Sequence, residues 1–203
     1  MKKHLHFKLH KPFGVLSQFT SNDAKEARQK QFLGDLYDFP EGIMPIGRLD
    51  EKSEGLILLT TDGKLSDQVN QSGIEKEYYA QLDGEITLEA IETLQKGVQI
   101  GFAGKKYNTK SCRAFKLEKT PNFAEADKKL RIGTHRPNSW ISITITEGKF
   151  RQIRKMTAAV GFPTLRLVRV RIGTILLKDM TAREVVPITI KEVLDEVNTK
   201  NRP

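Results

Sequence analysis

The stretch MPIGRLDEKSEGLILLTTDG, Met44–Gly63, is the densest passage in the chain. A short apolar lead-in reaches Gly47, a charged turn follows, and the run Leu56-Ile57-Leu58-Leu59 is closed by Asp62-Gly63. An unbroken apolar run of that length, bounded by turn residues, reads as a buried strand. Gly47 permits close approach of the backbone to a ligand. Asp50, at the strand-to-turn junction, is placed to project a carboxylate into a cleft. Taken alone it reads first as an ordinary turn residue, with Glu51, Glu54, Asp62 and Asp67 as acidic neighbours in sequence.

Towards the N-terminus, Leu5, Phe7 and Leu9 alternate with His4, His6, Lys8 and His10. This is a half-buried strand stopped by Lys11-Pro12-Phe13-Gly14. The imidazoles have no acidic or thiol ligand beside them and read as a polar strand face, not as a metal site. Ser21 to Gly42 is polar and weakly periodic, a long loop or short helix. Beyond the central stretch, Lys76 to Gly84 alternates as a strand. Thr87 caps a helix to Lys96 in which Leu88, Ile91 and Leu94 share a face, and Gly97 ends it. Lys105 to Lys119 reads as one or two basic strands, and Asn122 to Arg136 as a charged connection.

From Trp140 to Thr146 the alternation predicts a strand, with Ile141, Ile143 and Ile145 on one face. A helix is expected from about Phe150 to Val160, with Phe150, Ile153, Met156, Thr157 and Val160 as its stripe. Gly161 and Pro163 stop it, and Arg151, Arg154 and Lys155 take its other faces. Leu165 to Leu177 returns to strand with a slip of phase that a bulge near Val168 would reconcile. Thr189-Ile190-Lys191-Glu192 fits a capping box for a last helix carrying Val193, Leu194 and Val197. Strands dominate and helices interrupt them irregularly, which predicts an α+β fold with a mainly antiparallel or mixed sheet and flanking helices.

Composition narrows the chemistry. The 203 residues are 38% apolar, enough to bury a core. Lys and Arg outnumber Asp and Glu by 34 to 25, and a net charge of +9 points first to a polyanionic partner, most simply nucleic acid. Cys112 is the only cysteine, which excludes an intrachain disulfide, a cysteine zinc cluster and a CxxC redox pair. Its basic neighbours Lys110 and Arg113 could lower its pKa, although a thiol with no assigned base is a weak nucleophile candidate. Ser17 and Ser53 have no triad partner in the sequence, and neither GxGxxG nor GxxxxGK[ST] occurs. No apolar run is long enough to span a membrane, and His4, His6 and Lys8 break any signal-peptide core after Met1-Lys2-Lys3. A cytoplasmic protein with no cofactor and no metal is the expectation.

Three stretches resemble one family in order. GRLDEKSEGLILLTTDG (Gly47–Gly63) is similar to the GRLDxxTxGLLLLTNDG signature of the RsuA/RluB/RluE/RluF family of RNA pseudouridine synthases. Lys76-Glu77-Tyr78 resembles its K-x-Y strand motif. Glu147–Gly173 resembles its EGKNRQVRRMLAAVGHPVLRLHRVRIG block. The resemblance spans about residues 5–190, with Ser53 in place of Thr and Phe150 in place of Asn. It implies the pseudouridine synthase catalytic fold about a central RNA-binding cleft: one catalytic domain over 1–203, divisible into two subdomains at the cleft, with no N-terminal RNA-binding domain.

The resemblance also implies an activity and a site. A uridine in ribosomal RNA, here 23S, is isomerised to pseudouridine by a monomer without metal or small-molecule cofactor. Asp50 matches the catalytic aspartate, Arg154 its cationic partner, and Tyr78 the tyrosine that packs on the target base. Ile153 matches the apolar wall of the base pocket, and Arg48 the arginine that enters the RNA stack as the nucleotide flips out. Arg151, Lys155, Arg166, Arg169 and Arg171 form the phosphate-contact set. Two other readings stay open: a non-catalytic RNA-binding protein, which would not need Asp50, and a carboxylate glycosidase, which would need a second acid across the scissile bond.

Overall fold

The computed structural model describes residues 3–130, 132 and 137–189. The expected C-terminal helix and part of the charged connection lie outside them. The chain forms two compact units, one from the residues up to Ile74 together with those from Arg169 onward, the other from Glu75 to Val168. The first unit runs through β1 (His6–Lys11), β2 (Val15–Leu16), α1 (Ala24–Gln29), β3 (Gln31–Phe32), β4 (Met44–Ile46), β5 (Glu54–Thr60) and α2 (Gly63–Gln71). The second holds β6 (Lys76–Asp83), α3 (Leu88–Lys96), β7 (Gln99–Phe102), β8 (Lys105–Asn108), β9 (Arg113–Lys116), β10 (Asn138–Ile145) and α4 (Gln152–Ala159). Strand β11 (Thr164–Ile172) starts in the second unit and ends in the first, where β12 (Ile175–Leu176) and β13 (Val185–Pro187) follow. The α+β class is as the sequence predicts.

In the first unit the strand order is β13-β1-β5-β11. β1 and β5 are antiparallel, with Phe7 opposite Leu59 and Leu9 opposite Ile57. All seven residues of β5 are buried, because strands cover both of its edges and side chains both of its faces. Phe7, Leu9, Val15, Leu33, Ile57 and Leu59 form one core cluster, and each such burial contributes about 1.5–3 kcal/mol. Leu5, expected on that apolar face, is instead exposed, since the pairing with β5 begins only at His6. Gly55 has φ +103°, and a Cβ there would stand 2.3 Å from the Arg169 carbonyl oxygen. Helix α2 was not anticipated. Asp62 caps it by accepting from the Lys64 and Leu65 N–H groups, and it buries Leu65, Ser66 and Val69.

In the second unit the order is β11-β6-β10-β9. β10 is antiparallel to both its neighbours, with Ile143 opposite Tyr78 on β6 and Ala114 on β9. Its interior position buries Ser139, Ser142 and Thr144 along with the isoleucines, so both faces are covered and not one. α3 is capped by Thr87, which accepts from the Ala90 N–H, and Gly97 ends it at φ 95°. Its buried residues are Ala90, Ile91 and Leu94. Leu88, expected to share that stripe, is 78% exposed, because the first helical residue overhangs the packed surface.

Helix α4 corrects a second stripe. It starts at Gln152, because Arg151 takes the left-handed conformation (φ 53°, ψ 34°) and breaks the helical path before it. Gln152, Ile153, Met156 and Thr157 are buried, whereas Phe150 lies outside the helix and is 67% exposed. The basic stretch before β10 resolves into two strands, β8 and β9. β8 pairs with β7 across the two-residue turn Ala103-Gly104, both at positive φ as a tight hairpin turn requires.

Candidate active site

The signature turn is held from its own unit. Ser17 Oγ donates to the Leu49 carbonyl at 2.8 Å and accepts from the Leu49 N–H at 3.0 Å. Leu49 is buried, and its neighbours face outward: Arg48 is exposed and Asp50 half-buried. Arg48 Nη2 donates to Gln18 Oε1, and the Ser53 N–H closes the turn on the Asp50 carbonyl at 3.0 Å. Gly47, at φ +69°, is at a conformation that side chains rarely adopt.

Beneath this turn lies a cation that sequence reading assigned to a turn. Lys11 is fully buried, and its ammonium donates to the carbonyls of Val15 (2.7 Å), Pro12 (2.8 Å) and Glu51 (3.4 Å). Burial pushes its pKa down to about 7, opposed by the fields of Glu54, Glu51 and Asp50 and reinforced by Arg169. The period-2 alternation carried the signal, since Lys11 falls in phase with Phe7 and Leu9.

The other assigned residues divide between the units. Tyr78, on β6, is buried, and Ile153, on α4, is buried two residues after the left-handed Arg151. Arg154, half-buried on α4, donates from Nη1 to the Thr164 carbonyl at 3.1 Å. Lys155 donates to the Gly101 carbonyl at 2.7 Å. Arg171 is half-buried and donates to the Gly173 carbonyl at 2.8 Å.

Arg166 and Arg169, expected among the phosphate contacts, are both buried. Arg169 is 2% exposed, and its Nε donates to the Leu56 carbonyl at 2.7 Å. Arg166 is buried, donates to the Ala124 carbonyl at 3.0 Å and lies over the Phe123 ring at 5.5 Å. Backbone carbonyls and an aromatic ring receive the two guanidinium groups inside. The Cys112 expectation is also corrected. Burial, with Glu147 nearby, pushes the thiol up to about 11, and Sγ donates to the Leu94 carbonyl, so its basic neighbours do not activate it.

Glu147, the first residue of the second long motif block, organises the start of α4. It accepts from Tyr107 Oη, the Lys110 N–H and Gln152 Nε2. Burial alone would raise its pKa; these hydrogen bonds outweigh it and hold the carboxyl below its ordinary value. The same bond pushes the Tyr107 hydroxyl up. No group of three or more His, Cys, Asp or Glu among the described residues is arranged to hold a metal ion. No described helix is long and apolar enough to cross a membrane.

An antiparallel-dominated α+β fold carries a pinned Gly47–Asp50 turn in its first unit and a basic α4 in its second. The chain belongs to the RNA pseudouridylate synthase family, whose pattern matches residues 6–159. It is 38% identical over 167 residues to ribosomal large subunit pseudouridine synthase E of Xanthomonas axonopodis pv. citri (strain 306), covering 81% of this chain and 84% of that protein. To the protein of the same name from Vibrio parahaemolyticus serotype O3:K6 (strain RIMD 2210633) it is 39% identical over 172 residues, 84% of this chain and 68% of that one. A crystal structure of a pseudouridylate synthase superposes with a TM-score of 0.74 at 25% identity, covering 97% of this chain and 75% of that chain. The enzyme is therefore a pseudouridine synthase, an isomerase acting on RNA.

Proposed function

We propose that the protein isomerises one uridine of large-subunit ribosomal RNA, the 23S molecule, with Asp50 as the catalytic carboxylate. It would work in the cytoplasm, as a monomer and a single catalytic domain, without a cofactor. The observation that carries the assignment of Asp50 is the pinned signature turn, in which buried Leu49 separates exposed Arg48 from half-buried Asp50. The ribosomal substrate rests on the names of the relatives.

The reaction breaks the bond between C1′ and N1, turns the uracil over in the site, and joins C5 to C1′. A proton leaves C5 and N1 gains one, so no electrons are exchanged. Whether the carboxylate adds to the base, adds to the sugar or abstracts a proton, it must be ionised, and a cation beside it favours that form. Arg154 is assigned as that cation. Tyr78 is assigned to pack on the uracil, and Ile153 to wall off water that would hydrolyse an intermediate. Arg48 fills the stack vacated by the flipped nucleotide, offsetting part of an unstacking cost of a few kcal/mol.

Asp50→Asn is the test. Pseudouridine formation should vanish while RNA affinity stays within about threefold, because phosphate contacts supply most of the binding. Sequencing that maps pseudouridine in ribosomal RNA, with and without the protein, identifies the nucleotide. A variant that keeps more than a few per cent of the wild-type rate overturns the assignment.

A further inference from the structure

Phe150 is the least explained side chain of the second unit. Large apolar side chains are exposed at few described positions, and at 67% Phe150 is among the most open of them. The left-handed backbone at Arg151 puts it there. A non-glycine residue in that conformation is strained, so this exposure is maintained against a local preference for continued helix. The ring is also held in place. The Lys155 ammonium sits 5.4 Å from its centroid while donating to the Gly101 carbonyl at 2.7 Å. A cation over one face leaves the ring's remaining exposure on the opposite face and edge.

The surroundings fix the chemistry of what could cover it. The neighbouring Lys149 ammonium is 5.2 Å from the ring centroids of both Phe102 and Tyr107, which ties the β7–β8 hairpin to the same turn. Lys105 and Lys106 on that hairpin are exposed. The carboxylate of the turn, Glu147, is engaged by three neutral donors, none of them one of these lysine ammonium groups. An open aromatic face among fixed ammonium groups suits a flat, electron-rich partner that also carries negative charge. A nucleotide base with its phosphate is that partner; an apolar protein segment would satisfy the ring and leave the lysines without a counterpart.

We propose that Phe150 is a stacking platform for an unpaired nucleotide of the RNA, flanked by Lys149 and Lys155 as phosphate contacts, outside the pocket that takes the target uridine. The proposal rests on the reading of the protein as an RNA-modifying enzyme and adds a second base-binding position to it. It makes the enzyme selective for RNA with a single-stranded nucleotide beside the modified one.

Binding is measured with a short single-stranded oligoribonucleotide carrying one 2-aminopurine, and with the same strand annealed into a full duplex. Phe150→Ala should weaken single-strand binding about tenfold, the scale of one lost base–aromatic stack, and remove the quenching of 2-aminopurine. Duplex affinity and the salt dependence should be unchanged, since no phosphate contact is lost. Phe150→Trp should restore both signals. Lys155→Ala should instead lower the magnitude of the single-strand salt slope by about 0.7. Because Phe150 lies at the surface, its variants fold, which the far-ultraviolet spectrum and melting temperature verify. Single-strand affinity of Phe150→Ala within twofold of wild type, or an equal loss on duplex, overturns the proposal. Isomerisation of ribosomal RNA by the wild type is read separately, so its absence would count against the functional reading while the stacking result stands by itself.

Discussion

Ser17 Oγ and the Leu49 backbone are joined twice, the hydroxyl donating to the carbonyl and accepting from the N–H. One buried side chain thus serves both polar groups of the residue between Arg48 and Asp50. Ser17→Ala removes both bonds and strands two buried backbone groups, at a cost of about 1–3 kcal/mol. Urea denaturation should show that loss, and turnover should drop while RNA affinity changes little. Unchanged stability and turnover would mean the turn is positioned by something else.

Lys11 makes stability depend on pH in a direction opposite to that of an ion-paired lysine. Its folded pKa is about 7 against 10.5 outside the fold, so over that window the unfolded chain holds more protons than the folded one. Stability from this group therefore rises with pH above 7, by up to about 1.4 kcal/mol per pH unit, and is flat below. Cys112 acts the other way, its pKa raised from 9.0 to about 11, so its contribution falls with pH over that range. The window from pH 7 to 9 isolates the lysine. Wild-type stability should climb there relative to Lys11→Met, and parallel curves for the two would remove the assignment.

Arg154, if it acts through Asp50, should separate turnover from binding. On that assignment, turnover of Arg154→Ala at saturating RNA should fall while affinity changes little. Arg154→Lys restores charge without the planar fork and should recover part of the rate. Lost affinity with normal turnover would move Arg154 to the phosphate contacts.

The interior placement of Arg169 predicts a stability effect where a surface arginine would give a binding effect. Arg169→Ala leaves the Leu56 carbonyl on β5 without its 2.7 Å donor and should destabilise by about 1–3 kcal/mol. The salt slope of RNA binding should not change. A slope reduced by about 0.7 with stability intact would return Arg169 to the RNA surface.

Much of the fold was legible because it follows from local rules. Thr87 and Gly97 bracket α3, the isoleucine alternation marks β10, and the apolar run marks β5. What escaped depends on neighbours. α2 carries only Leu65 and Val69 as buried apolar residues, too thin a stripe to outweigh its polar composition, although Asp62 was a usable cap signal. Leu88 and Phe150 had helical spacing, yet one overhangs the start of its helix and the other precedes a left-handed residue. Lys11 was read as a turn residue and Arg166 and Arg169 by charge, whereas the carbonyls that receive them come from residues remote in sequence or from irregular backbone. The signature turn was visible in the residues and its role came by resemblance; its hydrogen-bonded support from Ser17 has no sequence pattern.

Gly55 lies five residues from Asp50 in the same signature, but the two answer to different constraints. A Cβ at Gly55 would collide with the Arg169 backbone whether or not the enzyme turns over. Two kinds of information are therefore interleaved in one motif, architectural marks and chemical ones. A descendant that had lost its chemistry would still need the glycine and would be free to change the aspartate. Gly55→Ala should accordingly unfold an Asp50→Asn background as readily as the active protein. Matching the motif by its glycine alone recognises the scaffold; on the role proposed for Asp50, only the aspartate speaks for an enzyme.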